Sequence, residues 1–103
     1  DWGFAGDYVE AMWMMLQHNN PDDFVVATGV VHSVQELCES AFKLAGLNWK
    51  DHVMVNKRWV RPTETGPLVG DYSKIRKMLG WKPKTSFNQL VEMMVKTDLA
   101  RLA

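Results

Sequence analysis

The sequence predicts an α/β fold, and three observations carry that expectation. Residues 24–28 form a short, continuously apolar run between turn-forming residues, the pattern of a buried strand in a parallel sheet. Two stretches, Ser33 to Glu36 and Ser86 to Gln89, carry the Ser-x-x-Glu/Gln pattern that opens helices. Helical and strand-like segments alternate along the chain, which argues for α/β rather than a helical bundle. The expectation is one small domain over residues 1–103, mostly helical, with two or three short strands.

The elements follow in order. Residues 7–18 read as a helix capped by Asp7, apolar on nearly every side because only Glu10 interrupts Tyr8, Val9, Ala11, Met12, Trp13, Met14, Met15 and Leu16. All-round apolarity implies burial against several partners, so this helix is expected to pack on a larger body, on a second subunit, or inside the domain's own elements. Asn19, Asn20, Pro21 and Asp22 make a turn, because proline fixes its own φ and Asn and Asp bond locally to the backbone. The 24–28 strand ends at Gly29. Ser33 and Glu36 then open a helix through Val34, Leu37, Cys38, Ala41, Phe42 and Ala45, with Gly46 at the left-handed position beyond its end. Residues 53–56 are a candidate second strand. Residues 61–70 carry Pro62, Gly66, Pro67 and Gly70, too much punctuation for regular structure, and irregular loops of this length are often functional. Asp71 is expected to cap a short helix through Leu79, with Ile75, Met78 and Leu79 inward, stopped by Gly80 and Pro83. The last helix starts at Ser86 and Gln89, with Phe87, Leu90, Val91 and Met94 on one face and Lys96, Asp98 and Arg101 outside.

Composition removes several classes of function. The chain has 103 residues, with 12 Lys and Arg against 12 Asp and Glu, and a pI near 7.0. This balance leaves no excess of positive charge for nucleic acid or an anionic membrane surface. No run approaches the ~18 apolar residues of a membrane span, and the N-terminus lacks the layout of a signal peptide. The expected setting is cytoplasmic. The lone Cys38 cannot form an internal disulfide, no Cys/His spacing matches a zinc site, and no metal is expected. At 11.8 kDa a complete two-substrate enzyme is not expected to fit, and the opening Asp1 and Trp2 suggest a chain that starts inside a fold.

The candidate chemistry is narrow. There is no Gly-x-Gly-x-x-Gly, no Walker sequence and no Gly-x-Ser-x-Gly elbow. His18, His32 and His52 are scattered and read as solvent-exposed or locally hydrogen-bonded. Cys38 lies on the apolar side of its helix and reads as a small hydrophobe, and the five tryptophans read as core or interface mass. One constellation could bind a specific ligand: Lys57, Arg58, Trp59, Val60, Arg61, Pro62, Thr63 and Glu64. Arg61 can donate bidentately to phosphate, and Glu64 can accept both hydroxyls of a ribose cis-diol. The alternative is a weak surface ion pair between the two.

These residues also carry a resemblance. The opening from Asp1 to Trp13 resembles the substrate-domain entry of the GDP-mannose 4,6-dehydratase family. Ala27, Thr28 and Gly29, then His32, Ser33 and Val34, then Arg61, Pro62, Thr63 and Glu64, then Gly70 and Asp71, and finally Leu79, Gly80, Trp81, Lys82 and Pro83 follow in that family's order. The last element is common to many extended short-chain dehydrogenases, whereas the first thirteen residues with Arg-Pro-Thr-Glu are much more specific. The resemblance covers essentially the whole chain.

It implies the small C-terminal, substrate-binding lobe of an NADP-dependent enzyme that dehydrates GDP-mannose to its 4-keto-6-deoxy product. The Rossmann lobe that holds NADP and the catalytic residues would lie outside this chain. Neither Tyr8 nor Tyr72 is followed four places later by Lys, so the family's Tyr-x-x-x-Lys pair has no counterpart. No catalytic or cofactor-binding residue is therefore expected, and the fragment alone should be inactive. By the same resemblance Arg61 approaches the phosphates of GDP-mannose and Glu64 the ribose, within a homo-oligomeric enzyme. Thr65, Gly66 and Pro67 replace the family's usual Val-Asp and large apolar residue, which stiffens and reshapes the loop behind Glu64. The alternatives are the substrate lobe of another nucleotide-sugar dehydratase, epimerase or reductase, and a non-catalytic α/β dimerisation module.

Overall fold

Among the described residues, four α-helices and two single turns of 3-10 helix carry the regular backbone: α1 (Ala5–Gln17), α2 (Val34–Leu44), the turns Trp49–Asp51 and Lys57–Trp59, α3 (Ser73–Leu79) and α4 (Phe87–Leu102). The structure, a computed structural model, describes residues 1–63 and 66–103.

Local chemistry explains most of these ends. At α2 the Ser33 hydroxyl accepts from the Glu36 amide at 3.1 Å while the Glu36 carboxylate accepts from the Ser33 amide at 2.5 Å, a complete capping box. The helix stops in a Schellman motif, in which the Leu47 amide donates to the Phe42 carbonyl and the Gly46 amide to that of Lys43. Gly46 has φ +72°, the left-handed position expected of it. Ser86 and Gln89 repeat the capping box at α4. At α3 the Asp71 carboxylate accepts from the Ser73 amide at 2.9 Å, one residue ahead of the structural cap, Tyr72.

Asp7 does not cap α1, contrary to expectation. The helix begins at Ala5 behind Phe4, with no side-chain cap, and Asp7 points across the molecule instead. Its Oδ2 accepts from the backbone amides of Lys84 at 3.0 Å and Thr85 at 2.9 Å, and its own carbonyl accepts from the Trp81 indole at 2.9 Å. Only 6% of Asp7 is exposed. A buried carboxylate is tolerated when its acceptor capacity is used, and here one oxygen takes two amides. Lys84 adds an ion pair to Glu10 at 2.7 Å, so α1 is fastened to the segment between α3 and α4.

That fastening encloses the core. Ala11, Ile75 and Trp81 are buried together, with Tyr8, Met14, Met15, Phe24, Val26, Tyr72 and Leu79 packed around them. The small side chain of Ala11 leaves room for the Trp81 indole, which is 2% exposed. Tyr8 and Tyr72 approach the same indole at centroid distances of 6.3 and 6.0 Å. Burial, helped by the negative charge of Asp7, pushes the Tyr8 phenol above its ordinary pKa. Met78 and Met94, expected inside, are exposed.

Neither expected strand forms: among the described residues no backbone segment pairs into a sheet. Residues 24–28 keep the alternation of a strand, with Phe24 and Val26 turned to the core and Val25 exposed. A strand needs a ladder partner as well as a pattern. The other candidate, residues 53–56, leads into a 3-10 turn and exposes Met54 and Val55. The mostly helical expectation therefore holds within the chain, and the sheet does not.

The second packing centre is the contact of α2 with α4. The His32 ring stacks on Phe87 at 3.9 Å and 11°, and the Trp2 indole donates to the His32 carbonyl at 3.1 Å. His52 stacks on Phe42 at 5.4 Å, and His18 meets the edge of Phe24 at 6.3 Å. Each histidine ring thus meets an aromatic partner; His52 is also exposed as expected, and His32 keeps a local neighbour in Glu36 at 3.7 Å. Cys38 is half-buried and free. Of the tryptophans only Trp81 is core, while Trp13 and Trp59 are exposed.

The result is a slab of 52 × 40 × 18 Å with a radius of gyration of 17.1 Å, against about 13 Å for a compact chain of this length. Its accessible surface is 8323 Å², where a compact monomer of this mass would show about 5,900 Å². Part of the excess is a stripe along α1, Val9, Met12, Trp13 and Leu16, exposed at helical spacing opposite Ala11; Leu16 is 82% exposed. No helix is long and apolar enough to cross a membrane among the described residues.

Two outcomes follow from these contacts. Asp7→Ala leaves two amides without their acceptor and should cost about 3 kcal/mol, read as a lowered urea midpoint; Asp7→Asn keeps an acceptor oxygen and should cost less. Acid should act through Asp22 and Asp71. The Lys74 ammonium, donating at 2.7 Å, and then the Asp23 amide hold Asp22 below the usual carboxylate range, and the Ser73 amide does the same for Asp71. A lowered folded-state pKa gives stability that is complete above the ordinary carboxylate range and lost as pH falls through the lowered value. Thermal midpoints measured from about pH 6 down to about pH 2 should decline less steeply in Asp22→Asn than in the parent.

Candidate functional site

The cation-bearing loop is built from its entrance. Asn56 caps the turn Lys57–Trp59, its side-chain oxygen accepting from the Arg58 amide at 3.0 Å. The Val60 amide closes the turn on the Lys57 carbonyl. Lys57, Arg58 and Arg61 thereby fall within five positions of one another on exposed backbone. The Arg58 guanidinium lies 5.4 Å from the centre of the Trp59 ring, a cation–π contact that limits its freedom. Sequence reasoning missed this stack, although adjacent Arg and Trp were its visible signal.

Every described residue from Met54 to Val69 is exposed, Met54 at 93%. Arg61 stands in this segment with its charge in solvent. Glu64, the partner expected to take the ribose, lies outside the described residues, as does Thr65, so neither the paired site nor the ion-pair alternative is placed. At its far end the loop opens on a shallow hollow of about 540 Å³ lined by Asp71, Tyr72, Ser73, Arg76 and Lys77. Phosphate oxygens suit such a cation-rich loop, since guanidinium and ammonium donors match their charge and geometry.

Among the described residues no group of three or more His, Cys, Asp or Glu comes together as a metal site. A dinucleotide's pyrophosphate seats on free amides at a helix N-terminus behind a glycine-rich turn. No Gly-x-Gly-x-x-Gly precedes these helices, and the side chains of Glu36, Gln89 and Asp71 already hold amides at the starts of α2, α4 and α3, so these three starts are not built as a cradle for NADP.

Comparison with known proteins then decides the family. Residues 1–94 match the family model described as GDP-mannose 4,6 dehydratase. This chain belongs to the GDP-mannose 4,6-dehydratase family. It is 62% identical over 99 residues to GDP-mannose 4,6 dehydratase 1 of Arabidopsis thaliana, covering 96% of this chain and 27% of that protein. To the GDP-mannose 4,6 dehydratase of Cricetulus griseus it is 46% identical over 116 residues, covering 96% of this chain and 31% of that protein. The GDP-mannose 4,6-dehydratase of Sinorhizobium fredii is 41% identical over 119 residues, covering 99% of this chain and 34% of that protein. The chain thus spans between a quarter and about a third of the length of these relatives.

The turn ahead of Arg61 can be probed alone. Asn56→Ala removes the acceptor for the Arg58 amide at a cost of about 1 kcal/mol, so hydrogen exchange at that amide should quicken about fivefold. Amides of the Asp7 and Trp81 contacts should keep their protection.

Proposed function

We propose that this chain is the C-terminal, GDP-sugar-binding part of a GDP-mannose 4,6-dehydratase, a lyase that converts GDP-mannose to GDP-4-keto-6-deoxymannose with NADP. The observation that carries the proposal is the family match over residues 1–94, which spans the exposed cation loop. In this reading Arg61 donates to the phosphates and Glu64 accepts from the ribose hydroxyls, while Lys57 and Arg58 add positive field around them. No group in this chain performs the chemistry. NADP and the catalytic residues belong to the rest of the protein, and the chain by itself has no activity. Residues 24–28 add to a sheet supplied by that remainder, so the whole protein is α/β. The α1 stripe packs on the same body, and the assembled enzyme is a cytoplasmic homo-oligomer.

One specific observation favours a second reading. The stripe Val9, Met12, Trp13 and Leu16 has the spacing of a helix–helix seam, as a non-catalytic dimerisation module would need. Such a module would sediment as a dimer and ignore every nucleotide.

Calorimetric titration of the full-length protein with GDP-mannose tests the leading proposal. Arg61→Ala should weaken binding about tenfold to a hundredfold, the loss of a charge-assisted contact. GDP should compete and UDP-glucose should not. Equal affinities in parent and variant would remove Arg61 from the site, and better competition by the UDP sugar would point to another nucleotide-sugar enzyme.

A further inference from the structure

Three distant segments meet beside the exit of the cation loop. The Asp1 carboxylate accepts from the Thr28 amide at 2.9 Å and the Thr28 hydroxyl at 2.6 Å through Oδ1, and from the Gly29 amide at 2.9 Å through Oδ2. One side chain thus fixes the elbow that ends the 24–28 run, with three charge-assisted bonds. Gly70 lies directly against that elbow. A methyl group at Gly70 would overlap the Ala27 Cβ, closer than two carbons can approach, and would lie 3.5 Å from Asp1 Oδ2 and 3.6 Å from Val25 Cγ1. Ala27 is buried and its Cβ is fixed to the backbone, so it cannot swing aside. From the other side, a methyl group at Gly29 would lie 3.3 Å from the Tyr72 ring and 3.6 Å from the Gly70 carbonyl. The loop exit and the Asp1-held elbow are therefore in backbone contact, and only glycine at position 70 permits it.

Packing elsewhere gives the loop little to lean on. Every described residue from Met54 to Val69 is exposed, so among the described residues of that stretch no buried side chain fixes its path. Its position is set by its ends, and Pro62 and Pro67 shorten the freedom of the chain between Arg61 and Gly70. We propose that Asp1, Thr28, Gly29 and Gly70 form a latch that sets where the cation loop lies, with Asp1 and Gly70 as positioning residues for Arg61. The proposal rests on the reading of Arg61 as a phosphate-binding group. It adds that substrate affinity depends on residues that never touch the substrate.

The test is steady-state kinetics of the full-length enzyme with GDP-mannose, beside thermal midpoints. Gly70→Ala should raise KM about tenfold with kcat within about twofold, the signature of lost binding rather than lost chemistry. Ala27→Gly added to Gly70→Ala removes the carbon in conflict and should return KM to within about twofold of the parent. Asp1→Asn, which keeps one acceptor oxygen and loses the other, should raise KM several-fold and serves if Gly70→Ala does not fold. Arg61→Ala is the reference. If Arg61→Ala raises KM while a folded Gly70→Ala and Asp1→Asn do not, the latch is overturned and the phosphate role stands. Should the double variant stay as impaired as Gly70→Ala, the effect does not pass through Ala27 and the latch is again overturned. A rise of KM in the latch variants with none in Arg61→Ala would overturn both the phosphate role of Arg61 and the latch as its positioning device.

Discussion

One oxygen of Asp7 and the indole of Trp81 hold the two ends of this molecule together. The chain between them is long, 74 residues from the indole donor to the Asp7 carbonyl, and it crosses the loop, α2 and α3. Closing it brings α1 beside Trp81 and Ile75, and that contact is the centre of the first core. Hydrophobic area alone would supply little here, because few side chains are fully buried. The polar clamp gives the contact its register: two adjacent amides on a single carboxylate oxygen fix how far α1 can slide along the 81–85 segment. A shift of one residue would leave a buried charge unanswered, which is far costlier than a misplaced methyl group. Two further elements take their places from it, α3 through Ile75 and Tyr72, and the 24–28 run through Phe24 and Val26.

What could be read from the sequence was what depends on near neighbours. Both capping boxes are three residues wide, and both are present as expected. Gly46 and Gly80 stand beyond helix ends with positive φ, because a left-handed C-terminal residue answers to its own helix. Asp7 defeated the same reasoning for the same cause: an acid near a helix start usually caps it, and nothing local reveals that its partners are Lys84 and Thr85. The 24–28 run shows the limit for strands. Its alternation is legible, since the pleat is a property of one segment, but a ladder belongs to two segments and the second is not found among the described residues. For the site, the clustering of Lys57, Arg58 and Arg61 is plain in the sequence, and the Arg58–Trp59 stack has adjacency as its signal. The contact of Gly70 with Ala27 had no sequence signal beyond a glycine in a loop.

The functional surface and the core follow different physical rules within one short chain. Around Trp81 the residues are held by crossed hydrogen bonds and ring contacts. Around Arg61 they stand in water, given direction by an Asn-capped turn on one side and a glycine contact on the other. Such a division would suit the phosphate recognition proposed for this loop: the donors would stay solvated until phosphate replaced water, and the desolvation cost that burdens buried cations would not be incurred beforehand.

The thinness of the molecule has a colloidal consequence. At 18 Å the slab is less than two helix diameters deep, so it has two faces and almost no middle, and one face carries an aromatic and aliphatic stripe. The formal charge of the chain is zero, which leaves copies of it without the mutual repulsion that keeps proteins dispersed. Apart from a body that covers that face, the chain would meet its own copies as readily as anything else. How well it stays dispersed then depends on whether that face is covered, more than on its charge.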